Sequence, residues 1–287
     1  MSRTAAHTLR LWLFLLVLVP VSLFGRGSIH PQFAMTPQEF RDMVFGLPLE
    51  VQARVLRDPS VFLEMTAAVI ESGLELTRHV DRTHGLSHLH TPEDLVNLLE
   101  QHPGIPVYAA DDRLAAPAAM ALQELVDAAL QDGVRLAISS AFRDFAMQEE
   151  LYAEHIVRFG FRATQQLVAP PGHSEHQLGT TVDFFPVGRR FDNTPQDQWL
   201  TEHASTFGFS MSYPPGLEDI TGYMHESWHY RYIGREAIAL RDRFFGGVQF
   251  HLTEFLFFHG DFLRETFRAD STVHHTDSQT VITSRRY

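Results

Sequence analysis

Two segments of this chain carry residue types that could hold a metal ion and hydrolyse a bond: His173-Ser174-Glu175-His176-Gln177-Leu178-Gly179-Thr180-Thr181-Val182-Asp183 and, later, Glu226-Ser227-Trp228-His229. His176, Asp183 and His229 are the candidate ligands for one zinc ion, and Glu226 stands three residues before the last histidine. Three protein ligands leave a tetrahedral zinc one open position for water, and a nearby carboxylate can take that water's proton. Imidazole and carboxylate without thiolate suit a catalytic rather than a structural zinc site, and the chain has no cysteine to offer. Spacing alone does not bring these groups together. On a helix Glu226 and His229 share a face; on a strand they point to opposite faces, so a strand would need a bend at Ser227-Trp228.

The elements that must position these groups are partly legible. Val134, Leu136 and Ile138 alternate, predicting a strand that delivers Ser139-Ser140-Ala141-Phe142-Arg143-Asp144 to a turn, with Phe145 to Phe159 helical after it. Arg143 then sits at a strand-to-helix junction, where a side chain can point into a site. Thr181 to Phe185 reads as a strand with Asp183 opposite Val182 and Phe184. Phe209 to Tyr213 and Trp228 to Ile233 read as further strands, and Pro117 to Leu130 as a helix ending near Gly133. The expected fold is α+β, a small, mainly antiparallel sheet packed with helices.

Upstream, Thr36-Pro37-Gln38-Glu39 combines an N-cap, a first-turn proline and a capping-box glutamate, and Asp58-Pro59 begins a second helix that stops at Gly73. Residues 36–91 are thus read as a helical accessory segment closed by a histidine-rich loop. That loop carries His79, His84, His88 and His90. A second metal site is conceivable there, but the histidines are read as solvated, with no carboxylate at ligand spacing. Thr91-Pro92-Glu93 is read as opening another helix and the domain that holds the candidate metal site, 92–267. Eight phenylalanines between Phe244 and Phe267 suggest a helix packing onto the sheet, and 268–287 reads as a disordered tail.

Composition bounds the function. Twenty-three basic residues against 35 acidic ones give a formal charge of -12, which argues against a nucleic-acid surface. Arg3 and Arg10 precede the apolar run Leu11 to Phe24, so residues 1–27 are read as an export signal or short membrane anchor. The expected location is the periplasm or cell envelope, soluble or attached to the membrane through that segment.

The segments Ser139 to Arg143 with Gln148 and Leu151-Tyr152, His173 to Asp183, and Asp219-Ile220-Thr221-Gly222-Tyr223 through Glu226-Ser227-Trp228-His229 to Gly234 resemble the VanY-type D-alanyl-D-alanine carboxypeptidases. The pattern Ser-x-His-x-x-Gly-x-x-x-Asp followed by Glu-x-Trp-His is matched in order and internal spacing, and the likeness extends over roughly Leu95 to Phe262. The resemblance implies a fold shared with Hedgehog signalling domains and a zinc carboxypeptidase that removes a C-terminal D-amino acid from peptidoglycan stem peptides. His176, Asp183 and His229 would bind zinc, and Glu226 would be the general base toward a zinc-bound water. Arg143 would face the scissile carbonyl, and Ser174 and Gln148 would line the substrate site. His173 and Trp228 are read as packing or supporting residues. Departures from the family pattern at Phe142, Asp144, Ser212, Leu217, His225 and Ser227 bear on substrate preference, D,D or L,D, rather than on the ligands. A peptidoglycan endopeptidase and a non-catalytic zinc module binding a cell-envelope partner are the alternatives.

Overall fold

The computed structural model describes residues 28–268. Residues 1–27, read above as an export signal or anchor, and all but the first residue of the segment 268–287 lie outside the described residues. The first three helices among the described residues are α1 (Pro37–Phe45), α2 (Leu49–Arg57) and α3 (Pro59–Ser72). The first starts where its sequence says it should: the Thr36 side chain accepts from the Glu39 backbone, and Glu39 reaches back to the Thr36 backbone N–H at 2.7 Å.

The rest alternates short strands with helices. In order they are β1 (Leu95–Asn97), α4 (Leu98–Gln101), β2 (Arg113–Ala115), α5 (Ala116–Gln131), β3 (Ile138–Ser140), α6 (Phe145–Phe159) and α7 (Phe161–Leu167). Next come β4 (Thr181–Phe184), α8 (Pro195–His203), β5 (Phe209–Met211), α9 (Glu218–Thr221), β6 (His229–Tyr232), α10 (Arg235–Phe244) and α11 (Gln249–Thr266). Thr91-Pro92-Glu93 leads into β1 rather than into a helix, and the strand expected from Val134 is regular only from Ile138. The strands β1 and β2 pair with each other, and the other four form a sheet of order β3-β4-β6-β5 in which every neighbouring pair is antiparallel. Helices packed with small antiparallel sheets are the α+β class expected.

Two apolar cores hold this frame. One lies under the four-stranded sheet, where Val182, Phe184 and Tyr230 meet Leu122, Leu125 and Val126 of α5 and Leu200 of α8. The other joins the first three helices to the last two, with Phe62 ringed by Phe244, Phe245 and Phe255 at 5.2–6.3 Å between centroids. The C-terminal phenylalanines therefore pack mainly on α1–α3 rather than on the sheet. Among the described residues no helix is long and apolar enough to cross a membrane.

Candidate active site

Strand alternation sorts the sheet into two faces. Val182, Phe184 and Tyr230 turn toward the core, so Asp183, His229 and Arg231 turn the other way. The register then sets Asp183 directly opposite His229, and Ser140 opposite Asp183 on its other side. The bend that a strand would require occurs: Ser227 and Trp228 form a turn, and the His229 N–H donates to the Glu226 carbonyl at 3.3 Å. Glu226 and His229 thereby meet, Oε2 to Nδ1, at 3.5 Å.

His176 arrives from a 3₁₀ turn, Glu175–Leu178, whose N-cap Ser174 accepts from the His176 N–H. The turn ends at Gly179 with φ 69°, and a Cβ there would stand 2.9 Å from both Pro92 and Leu95, so conformation and space both require glycine. His176 Nδ1 lies 2.6 Å from the Ala141 carbonyl. A carbonyl only accepts, so Nδ1 carries the hydrogen and Nε2 keeps its lone pair. That Nε2 is buried without a hydrogen-bond partner, 3.2 Å from Asp183 Oδ2. Burial, and then the Arg143 charge, push the His176 imidazole down to about 4, so it stays neutral.

His229 is held from behind. Its Nε2 faces Glu175 Oε2 at 3.1 Å and its Nδ1 faces Asp183 Oδ1 at 3.1 Å. Burial opposes a charge on His229, but the bonds to Asp183 and Glu175 outweigh it and hold the ring near 10. The carboxylates thus demand a positive charge at Nδ1, which a metal ion can supply in place of the proton. His176, Asp183 and His229 each bring one ligand atom within 4.8 Å of the others, all three buried. An orphaned buried imidazole nitrogen, a second imidazole nitrogen and a carboxylate converging on one point is a donor set that fits zinc.

Glu175, which the sequence reading quoted only as part of a motif, anchors the rear of the site. Despite burial, Arg231 and the bonds from His229 and Ser212 hold its carboxyl at about 2. Arg231 Nη1 donates to Oε1 at 3.1 Å, Gln249 Nε2 donates to the same oxygen at 2.9 Å, and the Ser212 hydroxyl donates to Oε2. Such a carboxylate behind a ligating histidine fixes ring orientation and raises its basicity. Ser212, counted as a departure from the family pattern, belongs to this network.

In front of the cluster opens a cleft of about 380 Å³, within the size range of small-molecule sites. Arg143, Gln148, Ser174 and Glu226 all line it, so every candidate site residue comes together. Arg143 Nη2 stands 3.9 Å from Asp183 Oδ2. Gln148 donates to the Ala169 carbonyl at 2.7 Å while its Oε1, also buried, has no hydrogen-bond partner. Burial pushes Glu226 up to about 7, which prepares it to gain and lose a proton near neutrality. Tyr213 and Tyr223 add phenols to the wall that sequence spacing did not single out; burial raises both well above their usual range, keeping them protonated donors. Trp228 lines the cleft and packs on the core, and His173 Nδ1 bonds the Asp81 carbonyl at 2.7 Å.

A family model described as VanY: D-alanyl-D-alanine carboxypeptidase matches residues 111–235. The D-alanyl-D-alanine carboxypeptidase of Enterococcus faecalis (strain ATCC 700802 / V583) is 40% identical over 125 residues, 40% of this chain and 47% of that protein, so the chain spans about half that relative's length. Among solved structures, the LdcB LD-carboxypeptidase aligns with TM-score 0.54 at 29% identity, covering 61% of this chain and 84% of that one. A mutant of the vancomycin-resistance D,D-pentapeptidase VanY from a VanB-type cassette, in complex with Zn(II), aligns with TM-score 0.51 at 31% identity, covering 63% of this chain and 99% of that one. With the motif, the fold and nearly the whole of a VanY enzyme matched, this chain belongs to the VanY family of D-alanyl-D-alanine carboxypeptidases.

Proposed function

We propose that this chain is a zinc-dependent carboxypeptidase that removes a C-terminal D-amino acid, D-alanine, from peptidoglycan stem peptides. The observation that carries this reading is the meeting of His176, Asp183 and His229 with Glu226 and Arg143 at the floor of one cleft. Zinc held by those three ligands would supply Lewis acidity that brings the pKa of a water toward ~7. Glu226, poised at about 7, takes the proton of the attacking water and passes it to the departing amine. Arg143 faces the carbonyl oxygen as negative charge develops there, a kind of donor worth roughly 3–4 kcal/mol when well aimed. The unpartnered Oε1 of Gln148 offers an acceptor for a substrate N–H, and Ser174 brings a hydroxyl to the same cleft.

The D-alanyl-D-alanine carboxypeptidase of E. faecalis, the D,D-pentapeptidase VanY and the LD-carboxypeptidase LdcB support the reaction class. The reading also assigns the chain to the cell envelope, where such substrates lie, with residues 1–27 as its export or anchoring segment. Incubation with tetrapeptide and pentapeptide stem fragments, with and without chelator, tests it by product mass. Loss of one terminal D-alanine, abolished by chelator and restored by zinc, is the expected result. Internal fragments would instead identify an endopeptidase, and zinc binding without turnover a non-catalytic module.

A further inference from the structure

The histidine-rich loop, read from sequence as solvated and without a carboxylate at ligand spacing, is so only in part: His88 is indeed exposed, but His79 is buried and His84 half-buried, both beside Asp81. Asp81 lies between His79 and His84, and the His79 side chain is 1% exposed. The His79 ring packs edge-on against Phe250 of α11 and the His84 ring lies 4.6 Å from that of Phe257. Ligand atoms of His79, Asp81 and His84 all lie within 4.8 Å of one another.

The hydrogen bonds around His79 turn one of its lone pairs toward the Asp81 carboxylate. The Thr253 hydroxyl donates to the Phe250 carbonyl at 3.2 Å, so it accepts from His79 Nδ1 at 3.0 Å. His79 Nε2 then turns a lone pair toward Asp81 Oδ2 at 3.2 Å, where Oδ2 has no other bonded neighbour among the described residues. The other oxygen, Oδ1, is oversubscribed: the Thr83 and His84 backbone N–H groups reach it at 2.7 and 2.6 Å and the Thr83 hydroxyl at 2.9 Å. His84 Nδ1 lies 3.0 Å from that same oxygen and 2.9 Å from the Thr83 hydroxyl.

We propose that His79, Asp81 and His84 form a second metal site, distinct from the catalytic cluster, that takes a first-row divalent cation such as zinc. Two imidazoles and one carboxylate select such an ion over calcium or magnesium, which prefer all-oxygen shells. The site ties its loop to α11, and the same loop braces the cleft: the Asp81 carbonyl holds His173, next to Ser174, and Arg82 stacks on Tyr223 at 4.5 Å. The bound ion therefore acts as a structural clasp on one wall of the active site.

The test counts metal rather than turnover. The full chain is stripped with chelator, dialysed against excess zinc, freed of loose metal and analysed by mass spectrometry of the elements. Two zinc ions per chain are expected, falling to one in His84→Ala, in Asp81→Asn and in His176→Ala, and to none in His84→Ala combined with His176→Ala. Asn at position 81 keeps the acceptor for the local backbone N–H groups, and His84 is partly exposed, so circular dichroism should report folded variants. One ion that persists in His84→Ala and Asp81→Asn but vanishes in His176→Ala overturns the second site and leaves the catalytic zinc standing. One ion that vanishes in His84→Ala and persists in His176→Ala keeps the second site and overturns the catalytic zinc.

Discussion

Glu226 and Glu175 approach the same histidine from opposite sides and end with opposite proton affinities. Glu226 faces the cleft, where burial outweighs the charges of His229 and Arg143, and sits near 7, whereas Glu175 has Arg231 bonded to it and sits near 2. The first can exchange a proton at neutral pH and the second cannot, which separates a base from an anchor. Glu226→Gln should retain zinc, measured by metal analysis, while kcat on a stem peptide falls by ~10²–10⁴-fold. Glu175→Gln keeps the shape but removes the charge behind His229, and zinc affinity should fall ~10–100-fold in competition with a chromophoric chelator. The ligands and the base were legible because their types and spacing carry chemical meaning. Glu175 sits one residue from His176 in the same motif, yet nothing in that adjacency says its carboxylate will reach His229, because the contact depends on where β6 lies beside the 3₁₀ turn. Asp81 was passed over for a similar reason: the loop's histidines look scattered along the chain and gather only when the loop folds onto α11.

At the level of elements, helix starts were the most readable feature, since a cap is a local bond between near neighbours. The Thr36–Glu39 capping box forms as its sequence suggests, and those bonds, backbone first, hold the Glu39 carboxyl below its ordinary value of 4.5. A lowered pKa in the folded state means that the ionised form stabilises the fold. The advantage of the wild-type chain over Glu39→Gln should therefore be complete above pH 4.5 and shrink as the pH falls through the lowered value, as followed by urea midpoints across that range. Strands were read less well. Those of the four-stranded sheet are only three or four residues long, too short for alternation to mark their ends, and Val134 and Leu136 alternate in a segment that is not regular strand. The pairing of Asp183 with His229 was beyond reach for a further reason, since register is a relation between segments and neither segment contains it.

Across the whole molecule the two cores divide the work. The one beneath the sheet sets the spacing of β3, β4 and β6, while the other binds α1–α3 to α10 and α11, away from the cleft lining. Phe62 is fully buried in the latter among four other phenylalanines. Phe62→Ala should cost ~3–5 kcal/mol by urea unfolding, with zinc stoichiometry unchanged at temperatures where the variant stays folded. Sequence spacing showed each helix to be amphipathic but not which helix would meet which, so the joining of both ends of the chain went unread. That joining matters for how the protein is made. Arg54 in α2 donates to the Phe244 carbonyl across 190 residues of chain, and Phe62 can bury its ring only when α10 and α11 exist. Helices α1–α3 are thus made well before the partners they need, and their apolar faces remain open to chaperones and to aggregation until α10 and α11 have emerged.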